Sequence, residues 1–104
     1  MDKKELIKQI KEDFKPFKRD ILAILLFGSW VKGMVTERSD VDICLVVGKK
    51  DVKPVFDKVL ESGLTERYDI KIFELLPWKI KGKVLEEYEI IWSKDEAELS
   101  YYLY

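Results

Sequence analysis

Asp40 and Asp42 stand two residues apart in an otherwise apolar run, and a Gly28-Ser29 pair precedes them with ten residues between. In a β-strand successive side chains alternate between faces, so two such aspartates project from one side with Cα atoms about 6.5 to 7 Å apart. Carboxylates held that way repel unless a cation lies between them. A hard divalent ion such as Mg²⁺ suits the arrangement, because it takes oxygen ligands, needs few carboxylates and completes its shell with water and phosphate oxygens. Two such ions roughly 4 Å apart activate an attacking oxygen and stabilise a leaving one. Glycine lets backbone approach a ligand closely, and exposed N–H groups beside a serine hydroxyl can bind phosphate oxygens. An anion-binding turn next to a carboxylate pair is what phosphoryl or nucleotidyl transfer requires.

These residues need elements to position them. Leu6, Ile7, Ile10 and Phe14 recur at helical spacing over residues 3–15, with Pro16 as the stop. Ile21 to Phe27 is a continuous apolar run, expected as a central strand buried on both faces. Residues 28–39 form a loop with room for one helical turn. Val41, Ile43, Leu45 and Val47 alternate with Asp40, Asp42, Cys44 and Val46, which predicts a strand with one core face and the other turned to the carboxylate site. Val52, Val55, Phe56, Val59 and Leu60 predict a helix that Gly63 terminates. Arg67 to Leu75 alternates again as a third strand. A helix from Pro77 to about Tyr88 and a short strand through "EIIWS" follow. Ser93 and Glu96 then have capping-box spacing for a last helix over residues 94–104. The order αβ-loop-βαβαβα predicts an α/β (α+β) fold, a mixed sheet flanked by helices, as one domain over residues 1–104.

Composition narrows the chemistry. The 19 basic and 20 acidic residues leave a formal charge of −1, which argues against direct binding to nucleic acid or to a membrane surface. Histidine is absent, so the commonest general base and transition-metal ligand are unavailable and any reaction rests on carboxylates, hydroxyls, lysines or a hard ion. Cys44 is the single cysteine, which excludes an internal disulfide and is expected as a small buried hydrophobe without a role. A charged amino terminus without signal-peptide character makes a cytoplasmic protein the expectation. The longest apolar run is far shorter than the about 20 residues a membrane helix needs. Trp78, Trp92, Tyr101, Tyr102 and Tyr104 are expected in core and edge packing.

Gly28-Ser29, ten residues, then Asp40-Val41-Asp42 resembles the signature of the minimal nucleotidyltransferases of the DNA polymerase β-like superfamily. "LLFGS", "SDVDICLVV" and the closing "IKGKVLEEYEIIW" extend the likeness over most of the chain. The resemblance implies a nucleotidyltransferase fold and a third carboxylate on a later strand, which assists the metal or takes the proton of the attacking hydroxyl. Asp69, eight residues before Pro77, is the candidate and Glu74 the alternative; strand parity puts them on opposite faces, so only one can meet the pair. By the same resemblance Asp40, Asp42 and Asp69 hold Mg²⁺, two ions in all, while Gly28, Ser29, Lys32 and Ser39 bind ATP. Many members carry arginines after Gly-Ser, where this chain has Trp30 and Lys32; lysine keeps the charge but not the bidentate fork. Stand-alone proteins of this type look like antitoxins paired with a HEPN-type toxin, which implies AMP transfer to a hydroxyl of that partner. The alternative is a catalytically degenerate module that neutralises or assists its partner by binding alone.

Overall fold

The computed structural model describes residues 2–35 and 40–104. Its sheet has four strands: β1 (Ala23–Phe27), β2 (Asp42–Val46), β3 (Asp69–Ile72) and β4 (Tyr88–Ser93), in the spatial order β3-β2-β1-β4. β1 runs antiparallel to both β2 and β4, and β3 runs parallel to β2. The sheet is therefore mixed, and β1 is internal as the unbroken apolar run predicts.

Helices close both faces. α1 (Lys3–Asp13) starts at Asp2, whose carboxylate accepts from the Glu5 N–H at 2.8 Å, and buries Leu6 and Ile10. Pro16 turns the chain into a 3₁₀ segment, Lys15–Phe17, where Phe14 and Phe17 meet edge-on. α1 and α3 (Lys53–Ser62) cover the face bearing Ile24, Leu26, Ile43, Leu45 and Ile72. α4 (Trp78–Glu86) and α5 (Glu96–Leu103) cover the face bearing Ala23, Leu25, Cys44 and Val46, through Val84 and Leu99. At about 25 cal/mol per Å² of apolar surface, burial of these two layers dominates the driving force for folding.

Several local expectations give way to tertiary structure. The third strand ends at Ile72, and Phe73–Leu75 is a 3₁₀ turn rather than more strand. The last helix is capped by Asp95 accepting from the Glu98 N–H at 3.0 Å, two residues beyond the Ser93 expected to begin the cap. On α3 only Val55 and Val59 are buried, while Phe56 and Leu60 of the same apolar pattern are exposed. Trp78, Tyr101 and Tyr104 are also mostly exposed, against the expectation of packing. No helix among the described residues is long and apolar enough to cross a membrane.

Candidate active site

β1 ends where the chemistry begins. Phe27 pairs with Asp42 across the β1–β2 ladder, so the turn after β1 lies beside the first residue of β2. Gly28 makes that turn at φ +78°, a conformation open mainly to glycine. A Cβ at this position would overlap the Asp42 carboxylate, with Asp42 Cγ only 3.1 Å away. Ser29 then opens α2 (Ser29–Lys32), in which the Val31 and Lys32 N–H groups bond back to the Gly28 carbonyl at 3.1 Å each. The Gly-Ser pair and the aspartate are thus neighbours in space, as their pairing predicts.

Asp69 completes the arrangement from the other side. β3 pairs with β2 in parallel register, Asp42 against Asp69, and paired residues of adjacent strands point to the same face. The Asp69 N–H also bonds to the Val41 carbonyl at 2.9 Å, which carries the ladder one residue beyond Asp42. Asp40 precedes β2 rather than belonging to it, and is exposed. It lines a cleft of about 290 Å³ together with Asp69, Glu66 and Arg67. Three acidic side chains therefore gather around one end of β2 and β3, from Asp40 to Asp42 to Asp69.

Electrostatics identifies the strained member. The Asp42 carboxyl is pushed up to about 6, first by partial burial and then, in order, by the negative charge of Asp69, a shared side-chain hydrogen bond with it, and the charge of Asp40. Lys71 works against this shift, its Nζ standing 3.0 Å from Asp69 Oδ1. Carboxylates pressed together with their charge only partly offset are a site that gains from a cation. The donors are all oxygens, which fits Mg²⁺ rather than a softer metal. Among the described residues no three acidic, cysteine or histidine side chains close into a ready-made metal cage. An ion that keeps water and phosphate oxygens in its shell does not require one.

Glu74 belongs elsewhere. Because Phe73–Leu75 is a 3₁₀ turn, strand parity does not apply to it. Its carboxylate accepts from the Val47 and Gly48 N–H groups at 3.0 Å each and from the Tyr102 hydroxyl at 2.7 Å, at the opposite end of β2. Of the two alternatives for a third carboxylate, Asp69 is the one brought to Asp42. Lys32 is exposed on α2, and Ser39 lies outside the described residues. Trp30 is partly buried against the core rather than presented to the site. Cys44 is fully buried, as expected, and so is Val46. The expectation that a whole face of this strand turns to the site is therefore corrected: only its first residue escapes the α4 and α5 layer.

Two features of the site have roles that the sequence signature does not assign. Lys71, two residues after Asp69 on the same face, supplies a resident positive charge, and parity alone was enough to find it. The Tyr68 hydroxyl donates to Asp13 Oδ2 at 2.5 Å, pinning the start of β3 to the end of α1. That contact joins residues 55 apart and has no local signature.

A sheet with a Gly-Ser turn and acidic residues gathered at one end is the arrangement that nucleotidyl transfer requires, and comparison with known proteins gives the same class. Residues 8–97 match the family model described as polymerase beta, nucleotidyltransferase, so the chain belongs to that family. It is 42% identical over 85 residues to "Putative protein adenylyltransferase MJ1547" of Methanocaldococcus jannaschii, a match covering 81% of this chain and 65% of that relative's length. A second protein of that organism, "Putative protein adenylyltransferase MJ0141", is 33% identical over 89 residues, covering 82% of this chain and 90% of the relative. The fold also resembles a crystal structure of a toxin-antitoxin with AMP-PNP, at a TM-score of 0.66 and 17% identity, covering 93% of this chain and 81% of that one. A crystal structure of the toxin-antitoxin MntA-HepT is similar at a TM-score of 0.62 and 12% identity, covering 97% and 81% of the two chains.

Proposed function

We propose that this protein is a Mg²⁺-dependent protein adenylyltransferase, moving AMP from ATP to a hydroxyl of a partner protein, and that it acts as the antitoxin of a HEPN-type toxin. The observation that carries the reading is the register of β2 against its two neighbours, which sets Asp42 beside Asp69 on β3 and against the Gly28 turn that follows β1. The protein-adenylyltransferase names of two relatives support the acceptor class. The toxin-antitoxin assemblies that share the fold suggest the kind of partner.

In this reading Asp40, Asp42 and Asp69 hold the metal, and Gly28 and Ser29 receive the triphosphate, with Lys32 and Ser39 as further nucleotide contacts. When bound, Mg²⁺ supplies charge neutralisation on the phosphate oxygens. The acceptor oxygen attacks the α-phosphorus, the bond from that phosphorus to the bridging oxygen of the β-phosphate breaks, and pyrophosphate leaves. Asp69 takes the proton of the acceptor hydroxyl. Gly28 contributes by what it lacks, since a side chain there would collide with the Asp42 carboxylate. Lys71 orients Asp69 before the cation arrives, its ammonium donating to Asp69 Oδ1 at 3.0 Å.

The test is to incubate the protein with labelled ATP, Mg²⁺ and the toxin candidate encoded beside it. Label should pass to the partner with wild type and not with Asp42→Asn. Transfer that continues undiminished in that variant would remove the mechanism. Neutralisation of the partner without any transfer by wild type would instead favour the binding-only alternative.

A further inference from the structure

The opposite end of the sheet carries a second concavity, of about 360 Å³, between the Gly48 turn and α5. Residue Val47 is five positions beyond Asp42, so this cavity lies roughly 16 Å from the carboxylates at about 3.3 Å per residue. Its floor is apolar, from Ile21, Leu22 and Val47. Its rim carries three ammonium groups, Lys49, Lys50 and Lys94, against a single carboxylate, Glu98. In a chain with a formal charge of −1 this is a local concentration of positive charge.

We propose that this cavity is a binding site for a mononucleotide, separate from the transferase site. An anion needs the lysines, but an inorganic anion has no use for an apolar floor. Tyr101 also lines the cavity with its ring almost wholly exposed, which makes it available to cover the flat face of a base. Glu98 would repel a second phosphate but accepts readily from ribose hydroxyls, as acidic residues do in dinucleotide sites. The volume lies at the low end of small-molecule pockets, which suits one nucleotide rather than two. The wall is held in advance of any ligand: the Tyr102 hydroxyl donates to Glu74 at 2.7 Å and contacts the Gly48 carbonyl at 3.3 Å. Lys50 is anchored by donating to the Arg19 carbonyl at 2.8 Å, and Lys49 and Lys94 serve as the principal phosphate contacts.

Calorimetric titration of the full chain with AMP in excess EDTA tests the site without the metal-dependent reaction. The expected dissociation constant is below about 1 mM. It rises about tenfold or more in the double variant Lys49→Ala with Lys94→Ala, and about fivefold or more in Tyr101→Ala, side chains that lie away from the transferase site. These side chains are exposed, and a thermal unfolding midpoint equal to that of wild type verifies folding of each variant. Three results overturn the proposal: no heat from AMP up to about 10 mM, binding indifferent to the lysines, or inorganic phosphate binding as tightly as AMP.

Discussion

Gly28 and Asp42 share one space: the Asp42 carboxylate occupies the position that a side chain on Gly28 would take. Replacing Gly28 by alanine forces two changes together, a clash with Asp42 and a non-glycine residue at φ +78°. The variant should lose about 1 to 3 kcal/mol of stability and at least about a hundredfold in AMP transfer. Chemical denaturation and label transfer measure the two effects. Full activity in Gly28→Ala would mean that the turn and the aspartate do not act as one unit.

Asp42 is a residue that the fold tolerates rather than favours. Its carboxyl titrates at about 6 in the folded chain, against an ordinary value of 3.8. Between these values the folded state keeps a proton that the unfolded chain has released. The stability it contributes is therefore full below 3.8, declines as pH rises through about 6, and is flat above. Asp42→Asn should remove that decline and raise the melting temperature at pH 7 by a few degrees, solvent screening keeping the gain small. It should also abolish stabilisation by Mg²⁺ or Mn²⁺. Thermal melts across pH, with and without the ion, report both.

Lys71 and Asp69 offer a complementary test. Lys71→Met removes the ammonium that stands 3.0 Å from Asp69. The metal-free protein should melt lower, while added Mn²⁺ should raise its melting temperature by more than it raises that of wild type, because the cation then meets a less neutralised pair. An unchanged metal response would make Lys71 an ordinary solvated lysine of an edge strand.

The two acidic residues of the β3 region should separate cleanly. Asp69→Asn is expected to stop transfer with little effect on folding. Glu74→Ala strands two backbone N–H groups and the Tyr102 hydroxyl, and should cost about 2 to 4 kcal/mol. Urea unfolding alongside label transfer distinguishes them; the reverse pattern would exchange their roles.

Cys44 should be inert. Burial pushes its thiol up to about 12, with the charge of Glu74 adding to the effect. An alkylating reagent at pH 8 should modify it only after denaturation, which mass spectrometry detects.

Local sequence determined a good deal of this protein. The alternation of Val41 to Val47, the apolar run before Gly28 and the helical spacing of Leu6, Ile10 and Phe14 were legible because each is a contest between neighbouring residues, settled over a few positions. The same holds for the Gly28-Ser29 and Asp40-x-Asp42 spacing, whose chemistry depends on residue type. What only the tertiary structure decided are the long-range matters. Asp69 rather than Glu74 reaches Asp42 because β3 pairs in parallel with β2 at one register, and because the strand turns into a 3₁₀ segment before Glu74. Cys44 and Val46 lie buried on the face that Asp42 opens, since α4 and α5 cover that face everywhere but its end. Neither outcome is written in any short window, for both depend on which distant segment the chain brings back against the sheet.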